Sequence, residues 1–168
     1  PSEQKHHWQA VVKNLKTVAK YAAARDKLIC VEPLNRFETD FLNTVEQGLK
    51  LIADVGSPAL KLHLDTFHAN IEENGFVEPV TADGDRLGYV HIGESHRGYL
   101  GTGTIDFATF FTALKASGYS GPVTFESFSS AVVHPELSNL LAVWRNLWDD
   151  SEDLATHAYQ FMADHLRS

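Results

Sequence analysis

The feature that most constrains the fold is a regular alternation of short apolar runs with longer segments of helical period. Four of the apolar runs have the length and composition of β-strands, and helix-like segments precede, separate and follow them. The predicted strands lie at 28–31, 60–65, 87–92 and 123–126. Strands that alternate with helices pair in parallel, so the sequence predicts an α/β fold with a parallel sheet.

Cap signals mark the ends of several predicted helices. Thr44 and Gln47 form a capping-box pattern, and Asp106 is a typical N-cap residue. Gly56 and Gly118 are typical stop residues. The helices are predicted at 3–25, 45–55, 107–117, 136–148 and 151–166.

The chain is too short for a closed barrel of alternating strands and helices. It has 168 residues, which we interpret as a single domain over 1–168. A closed eight-stranded barrel needs about 250 residues, or roughly 31 for each β-α unit. Four strands therefore form either a small open sheet or part of a barrel. The chain begins with proline rather than methionine, so we expect a fragment or a processed product.

Charge and cysteine content exclude several classes of partner and compartment. The net charge is −8, from 14 Lys and Arg against 22 Asp and Glu. Nucleic acids and anionic membranes bind basic surfaces, so we predict neither as a partner. No apolar run reaches the roughly 18 residues that span a bilayer. Cys30 is the only cysteine, which excludes an internal disulfide and favours a reducing, cytoplasmic location.

Four potential metal ligands stand at or near the carboxyl ends of the four predicted strands. They are Glu32, Asp65, His91 and Glu126, with separations of 33, 26 and 35 residues that each approximate one β-α unit. Sites in parallel α/β folds form at these strand ends. Three carboxylates and one imidazole suit a divalent cation such as Mn²⁺, Mg²⁺ or Co²⁺. The competing interpretation is that four unrelated polar residues end these strands.

Three further polar residues fall in the loops that follow the strand ends. They are Glu38, His68 and Arg97. Such loops collect substrate contacts, and a solvated loop charge is the alternative for each residue. The remaining histidines, His63 among them, show no ligand spacing and are predicted in the core or on helix surfaces. Ser127 lacks the sequence setting of a nucleophile.

Four long segments carry a family resemblance. They are VEPLNRFETDFLNT (31–44), HLDTFHANIEE (63–73), HIGESHRGYLGTGTIDF (91–107) and GPVTFESF (121–128). In this order and spacing, the segments resemble ketose 3-epimerases of the D-tagatose 3-epimerase and D-psicose (allulose) 3-epimerase group. That group belongs to the xylose isomerase-like superfamily of sugar isomerases and epimerases. The resemblance extends over nearly the whole chain.

The resemblance implies a fold and a cofactor. The fold is an α/β (β/α)₈ TIM barrel of the xylose isomerase-like type, of which this chain would supply the last four parallel strands with their helices. The cofactor is one divalent cation, with Mn²⁺ expected before Co²⁺ or Mg²⁺. The family's metal ligands map onto Glu32, Asp65, His91 and Glu126, the residues that the strand ends also select.

The resemblance also implies a reaction. A ketose would be inverted at C3 by proton transfer through an enediolate, with Glu32 and Glu126 as acid and base on opposite faces. The family's substrate contacts map onto Glu38, His68 and Arg97. The expected partner is thus a small ketose.

Other members of the superfamily are alternative interpretations. Hydroxypyruvate isomerases and inosose enzymes share the strand-end carboxylates, but the combination of NRFE (35–38), DTFH (65–68) and GESHR (93–97) favours ketose epimerases. The apurinic-site endonuclease branch needs additional histidine and aspartate ligands for three zinc ions. Residues 98–102 offer none, and the acidic net charge also disfavours that branch.

A final alternative is an inactive fragment. A half-barrel exposes two sheet edges and, as we expect here, an apolar interior, and both favour association. We therefore predict a homo-oligomer, with a dimer of half-barrels as one form of it.

Overall fold

The structure is a computed structural model that describes residues 2–82 and 84–167. Within these residues the chain forms seven α-helices and four strands. In chain order they are α1 (Ser2–Ala23), β1 (Ile29–Val31), α2 (Val45–Val55), β2 (Leu60–Asp65), α3 (Thr66–Glu72), α4 (Val77–Thr81), β3 (Leu87–Ile92), α5 (Phe107–Ala116), β4 (Val123–Phe125), α6 (Pro135–Leu140) and α7 (Ser151–Arg167). A single 3₁₀ turn, Gly84–Arg86, precedes β3.

The four strands form one parallel sheet in the order β1-β2-β3-β4. The predicted α/β class and parallel pairing are confirmed. Parallel neighbours need a crossover connection, and the helices between the strands provide it. In the part of the chain that the structure describes, no helix is long and apolar enough to cross a membrane.

The predicted helix caps are present. Thr44 Oγ1 accepts from the Gln47 backbone N–H, and the Gln47 side chain accepts from the Thr44 backbone N–H, which completes the capping box. Gly56 ends α2 in the left-handed conformation with a φ of 67°. The Asp106 carboxylate accepts from the Thr109 backbone N–H at the start of α5.

One face of the sheet, here called the helix face, holds the core. Leu60, Leu62 and Leu64 alternate along β2 toward this face and are buried. The helices α1 and α2 pack against each other, as do α5 and α7, and α2 packs on β2. Phe110 and Phe111 of α5 are also fully buried in this core. Burial of these apolar side chains is the main stabilising term of the fold.

The opposite face of the sheet, here called the inner face, is polar. By strand alternation it carries Cys30, Glu32, Lys61, His63, Asp65, Tyr89, His91, Thr124 and Glu126. The expectation of an apolar interior is therefore wrong. Short contacts link neighbouring strands on this face, such as the 2.6 Å hydrogen bond between the Tyr89 and Thr124 hydroxyls.

A register shift between β2 and β3 determines which residues face each other. Leu62 pairs with Leu87, but the next residue, His63, pairs with Tyr89. Gly88 is thus an extra residue in β3, and beyond it Asp65 pairs with His91. A Cβ at Gly88 would lie 2.5 Å from Lys61 Cβ. The backbones are therefore too close for any larger residue at this position.

The predicted helix over 136–148 is wrong in its second half. The helix α6 ends at Leu140, and Ala142 adopts a φ of 54°. Serine side chains bind the backbone that follows: Ser138 Oγ donates to Val143 O, and Ser129 Oγ accepts from Leu147 N–H. These side-chain bonds compete with helical hydrogen bonds, which explains why the apolar spacing of this segment did not produce a longer helix.

We predict that Gly88→Ala destabilises the chain by about 1–3 kcal/mol, because the added methyl overpacks a backbone contact. Gly121→Ala is the matched control. Its Cβ would contact the partly buried Tyr119 ring, 2.5 Å from the hydroxyl, so a second control is Gly93→Ala, whose Cβ would lie no closer than 3.4 Å to any neighbour. Urea unfolding followed by circular dichroism measures all three. Equal losses of free energy in Gly88→Ala and Gly93→Ala would contradict the close approach at Gly88.

Candidate active site

The four predicted metal ligands converge at the carboxyl ends of the strands. Glu32 directly follows β1, Asp65 ends β2, His91 is the penultimate residue of β3, and Glu126 directly follows β4. Because the strands are parallel, these ends lie at one edge of the sheet. Alternation along each strand aims all four side chains toward the inner face.

Asp65 is the centre of this group. Its side chain is fully buried, and the His91 Nδ1 atom lies 3.8 Å from Asp65 Oδ2 and 3.6 Å from Glu126 Oε1. The other Asp65 oxygen, Oδ1, accepts from the Phe67 backbone N–H at 2.7 Å and so caps α3. The capping bond orients the carboxylate, which leaves Oδ2 pointing at the inner face.

Glu32 approaches Asp65 from the β1 side. The His68 Nε2 atom lies 3.9 Å from Glu32 Oε1 and 3.9 Å from Asp65 Oδ2, so it sits between the two carboxylates. Ligand atoms of Glu32, Asp65 and His68 lie within 4.8 Å of one another, as do those of Asp65, His91 and Glu126. The two groups share Asp65 and together form one cluster.

The carboxylates are held in an environment that opposes their ionisation. Burial, together with the nearby negative charges of Asp65 and Glu126, raises the pKa of Glu32 to about 8. Burial also raises the pKa of Asp65 to about 6, although the Arg97 guanidinium works in the opposite direction. Negative charge at this edge of the sheet is therefore poorly compensated by the protein alone.

The histidines of the cluster are neutral at physiological pH. Burial lowers the pKa of His68 to about 3 and also lowers the pKa of His91. Among the described residues, the buried His91 Nδ1 has no hydrogen-bond partner. A neutral imidazole nitrogen that faces two carboxylate oxygens without a hydrogen bond is the arrangement of a metal ligand. The donor set of the cluster thus fits a divalent cation.

Hydrogen bonding assigns His68 a different role from His91. The Asn35 backbone N–H donates to His68 Nδ1 at 3.1 Å. Because Nδ1 accepts, a neutral His68 carries its proton on Nε2, where it faces Glu32 and Asp65. His68 is therefore a donor toward the cluster rather than a ligand. Asn35 Nδ2 also donates to Glu38 Oε1 at 2.7 Å, which ties Glu38 to the same loop.

Arg97 completes the cluster from the loop after β3. Its Nη1 atom lies 2.7 Å from Glu126 Oε2 and 3.4 Å from Asp65 Oδ2. The guanidinium carbon lies 3.6 Å from the centre of the Phe67 ring, a cation–π contact. The backbone of Arg97 has a φ of 66°, and the Ser127 hydroxyl donates to its carbonyl. All seven predicted site residues therefore lie in or beside one cluster.

Sequence reasoning missed three residues that contact this cluster. His63 lies with its Nδ1 atom 3.4 Å from Glu32 Oε2, although its spacing indicated no ligand role. The strand period, which places His63 on the same face as Asp65, was the available signal. Asn35 and Ser127 position Glu38, His68 and Arg97 by hydrogen bonds, and no sequence signal marks such bonds.

A cleft of about 580 Å³ opens beside the cluster. Glu38, Phe67 and Arg97 form its inner wall, and the loop over 140–147 forms its outer wall. This volume is within the usual range for small-molecule sites. Two candidate substrate contacts, Glu38 and Arg97, therefore line a cleft that could admit a sugar. Arg97 connects this cleft to the candidate ligands Asp65 and Glu126.

The fold and the cluster together define a class of protein. It is a parallel, barrel-type α/β protein with a carboxylate–histidine centre at the carboxyl ends of its strands. The sequence profile of the xylose isomerase-like TIM barrel family matches residues 1–165. The chain belongs to the xylose isomerase-like TIM barrel family, and the predicted fold family is confirmed.

Relatives within this family are ketose epimerases. The chain is 59% identical over 148 residues to the L-ribulose 3-epimerase of Methylomonas sp. (strain DH-1), covering 88% of this chain and 52% of that protein. It is 54% identical over 138 residues to the ketose 3-epimerase of Arthrobacter globiformis, covering 82% of this chain and 48% of that protein. These similarities confirm the predicted resemblance to ketose 3-epimerases.

A solved structure agrees with these sequence relatives. The crystal structure of D-allulose 3-epimerase from Methylomonas sp. in complex with D-allulose matches with a TM-score of 0.89 and 57% identity. The match covers 92% of this chain and 54% of that chain. The chain thus spans about half the length of the relatives it matches.

We predict that the metal-free chain loses stability between pH 6.5 and pH 8. The folded-state pKa of Glu32, about 8, is above its ordinary value of 4.5, so the folded state binds this proton more tightly than the unfolded state. Stability from this group is full below pH 4.5 and declines up to about pH 8, because over that range the unfolded state has lost the proton that folded Glu32 keeps. The lowered pKa values of His63 and His68 act only below pH 6.5.

Urea unfolding at several pH values, with a chelator present, measures this dependence. Glu32→Gln should flatten the decline between pH 6.5 and pH 8, because the amide does not ionise. Glu136→Gln, at an exposed position of α6, is the control and should keep the parental slope. A parental slope in Glu32→Gln would show that another group causes the decline.

Proposed function

We propose that the chain carries the catalytic centre of a metal-dependent ketose 3-epimerase, an isomerase that inverts C3 of a ketose of the L-ribulose or D-psicose type. The observation that carries this proposal is the position of Glu32 and Glu126. They follow the first and last strands of the sheet, yet their charges interact across the cluster. Two carboxylates that enter one ligand cluster from opposite ends of the sheet suit the removal and return of a proton.

We propose one divalent cation as the cofactor, held by Glu32, Asp65, His91 and Glu126. Mn²⁺ is the first candidate, with Co²⁺ or Mg²⁺ as alternatives, because carboxylate-rich sets with one imidazole bind all three. When bound, such a cation polarises the ketose carbonyl and makes the C3 proton more acidic.

The two glutamates would then have opposite roles in proton transfer. In one direction, Glu126 removes the C3 proton and Glu32 returns a proton to the opposite face, and the reverse reaction exchanges these roles. Each glutamate would be both a ligand and a proton carrier, which requires one carboxylate oxygen of each to remain free of the cation.

The neighbouring polar residues orient the sugar. Arg97 and the Nε2–H of His68 both point into the cluster and would donate to substrate oxygens near the developing negative charge. Glu38 lies on the wall of the cleft, held by Asn35, and would assist Glu32 or accept from a sugar hydroxyl. Phe67 supports the Arg97 guanidinium from one side.

We predict that the chain binds one Mn²⁺ and catalyses exchange of the C3 hydrogen of D-allulose or L-ribulose in deuterated water. Proton NMR measures the exchange, and native mass spectrometry measures the metal. At saturating Mn²⁺, Glu126→Gln should lower the exchange rate by about 100-fold or more, since the amide cannot act as a base.

Glu136→Gln is the matched control, because Glu136 is an exposed glutamate that packs against none of the cluster residues. It should leave the exchange rate unchanged. Full exchange by Glu126→Gln would refute the role assigned to Glu126. A parent chain that binds no Mn²⁺ would refute the proposed metal centre.

We further propose that the chain forms a homo-oligomer in which a second copy covers the inner face and the sheet edges. In the described part of the chain, β1 pairs only with β2 and β4 pairs only with β3, so each presents an unpaired edge. Unpaired edges favour pairing with another chain. We also propose a cytoplasmic location, because a lone cysteine fits a reducing compartment.

We predict a dimer in native mass spectrometry and in analytical ultracentrifugation. The Glu126 N–H donates to β3, so alternation along β4 turns the Val123 N–H toward the open edge. Val123→Pro should shift the species toward monomer, because proline removes this edge donor. Val123→Ala, which keeps the N–H, serves as the control. A monodisperse monomer of the parent chain would contradict the proposed pairing.

A further inference from the structure

His63 occupies the inner face directly beside two of the proposed ligands. Its Nδ1 atom lies 3.4 Å from Glu32 Oε2. Its ring stands at 90° to the ring of His91, with 4.2 Å between the ring centres, and at 83° to the ring of Tyr89, with 5.1 Å between the centres. Edge-to-face packing on two sides and the carboxylate on a third side fix the orientation of this imidazole.

The proton of the His63 ring can be placed from these contacts. An imidazole ring carries a proton on at least one of its two nitrogens. An N–H at Nδ1 would donate toward the Glu32 carboxylate, whereas an unprotonated Nδ1 would face it with a lone pair. Nδ1 is therefore the favoured donor, and Nε2, which has no hydrogen-bond partner among the described residues, carries the lone pair.

We propose that His63 is a positioning residue of the candidate metal centre, which holds the Glu32 carboxylate through Nδ1–H and the His91 imidazole through ring packing. The proposal rests on the proposed function only in its assumption that the cluster binds a divalent cation. Glu32 has a flexible side chain, and Asp65 and Glu126 repel it when no cation is bound. A donor fixed by the sheet lowers the cost of keeping the Glu32 carboxylate in the cluster.

The position of His63 along β2 distinguishes a positioning residue from a metal ligand. His63 precedes Asp65 by two residues on β2, a displacement of about 6.6 Å toward the amino end of the strand. Ligand atoms of Glu32, His63 and His91 do lie within 4.8 Å of one another. A cation placed among these three would lose Asp65 and Glu126 as ligands, however.

The test compares the Mn²⁺ dissociation constants of the parent chain and three variants by titration calorimetry. His63→Leu fills the space but removes the donor, and we expect about 10- to 100-fold weaker binding. His63→Asn places an amide N–H near the position of Nδ1, and we expect affinity within about threefold of the parent. His63→Gln places its amide nearer the position of Nε2 and should not restore affinity.

His157→Leu is the matched control. His157 is another half-buried histidine, whose Nε2 contacts the Leu100 carbonyl oxygen at 2.8 Å, away from the cluster. Its replacement should leave Mn²⁺ affinity unchanged. Circular dichroism shows which variants fold, and if His63→Leu does not fold, the comparison of His63→Asn with His63→Gln decides the question.

Three outcomes would overturn the positioning role. The first is that His63→Leu and His63→Gln both bind Mn²⁺ with parental affinity. The second is that His63→Asn and His63→Gln weaken binding equally. The third is that pulsed electron paramagnetic resonance detects two imidazole nitrogens on Mn²⁺ and that one of these signals is lost in the His63 variants. The third result would make His63 a ligand. Absence of Mn²⁺ binding by the parent chain would instead refute the metal centre of the proposed function.

Discussion

The register shift between β2 and β3 is the constraint on which the candidate site depends. Continued pairing from Leu62 and Leu87 would place Val90 opposite Asp65 and turn His91 toward the helix face. The extra residue, Gly88, reverses this alternation, so that Val90 enters the core and His91 faces the inner side. Only glycine fits there, because the neighbouring strand lies against it. A backbone irregularity without a functional side chain thus determines which side chain joins the carboxylates.

The cluster that results is electrostatically costly to the protein. Burial and mutual repulsion raise the pKa values of Glu32 and Asp65, and the His91 nitrogen has no hydrogen-bond partner in the described structure. Each of these features destabilises the fold without a cation and favours the binding of one. Functional sites commonly retain such costs because chemistry needs groups that folding alone would not select. The apolar helix face, with its buried leucines and phenylalanines, offsets them.

Much of this arrangement is predictable from the sequence, and the limits have physical causes. The strands β2 and β3 have the predicted bounds, because alternation and turn residues act locally. The four strand-end residues follow from the parallel topology. The failure of the helix prediction over 136–148 has another cause. It depends on contacts between residues far apart in the chain, such as Ser129 with Leu147, which periodicity does not encode. The strand period does place His63 on the inner face, but it does not show that His63 contacts Glu32.

The supports of the functional side chains are distributed over the whole sheet. Asn35, after β1, holds His68 of α3, while Ser127, after β4, holds the backbone of Arg97, which follows β3. No strand end is sufficient alone, because each candidate residue is fixed by a neighbour from another β-α unit. The site therefore forms only when all four strands are in register. Stability of the sheet and geometry of the cluster are coupled for this reason, and a change deep in the sheet alters the cluster without contacting it.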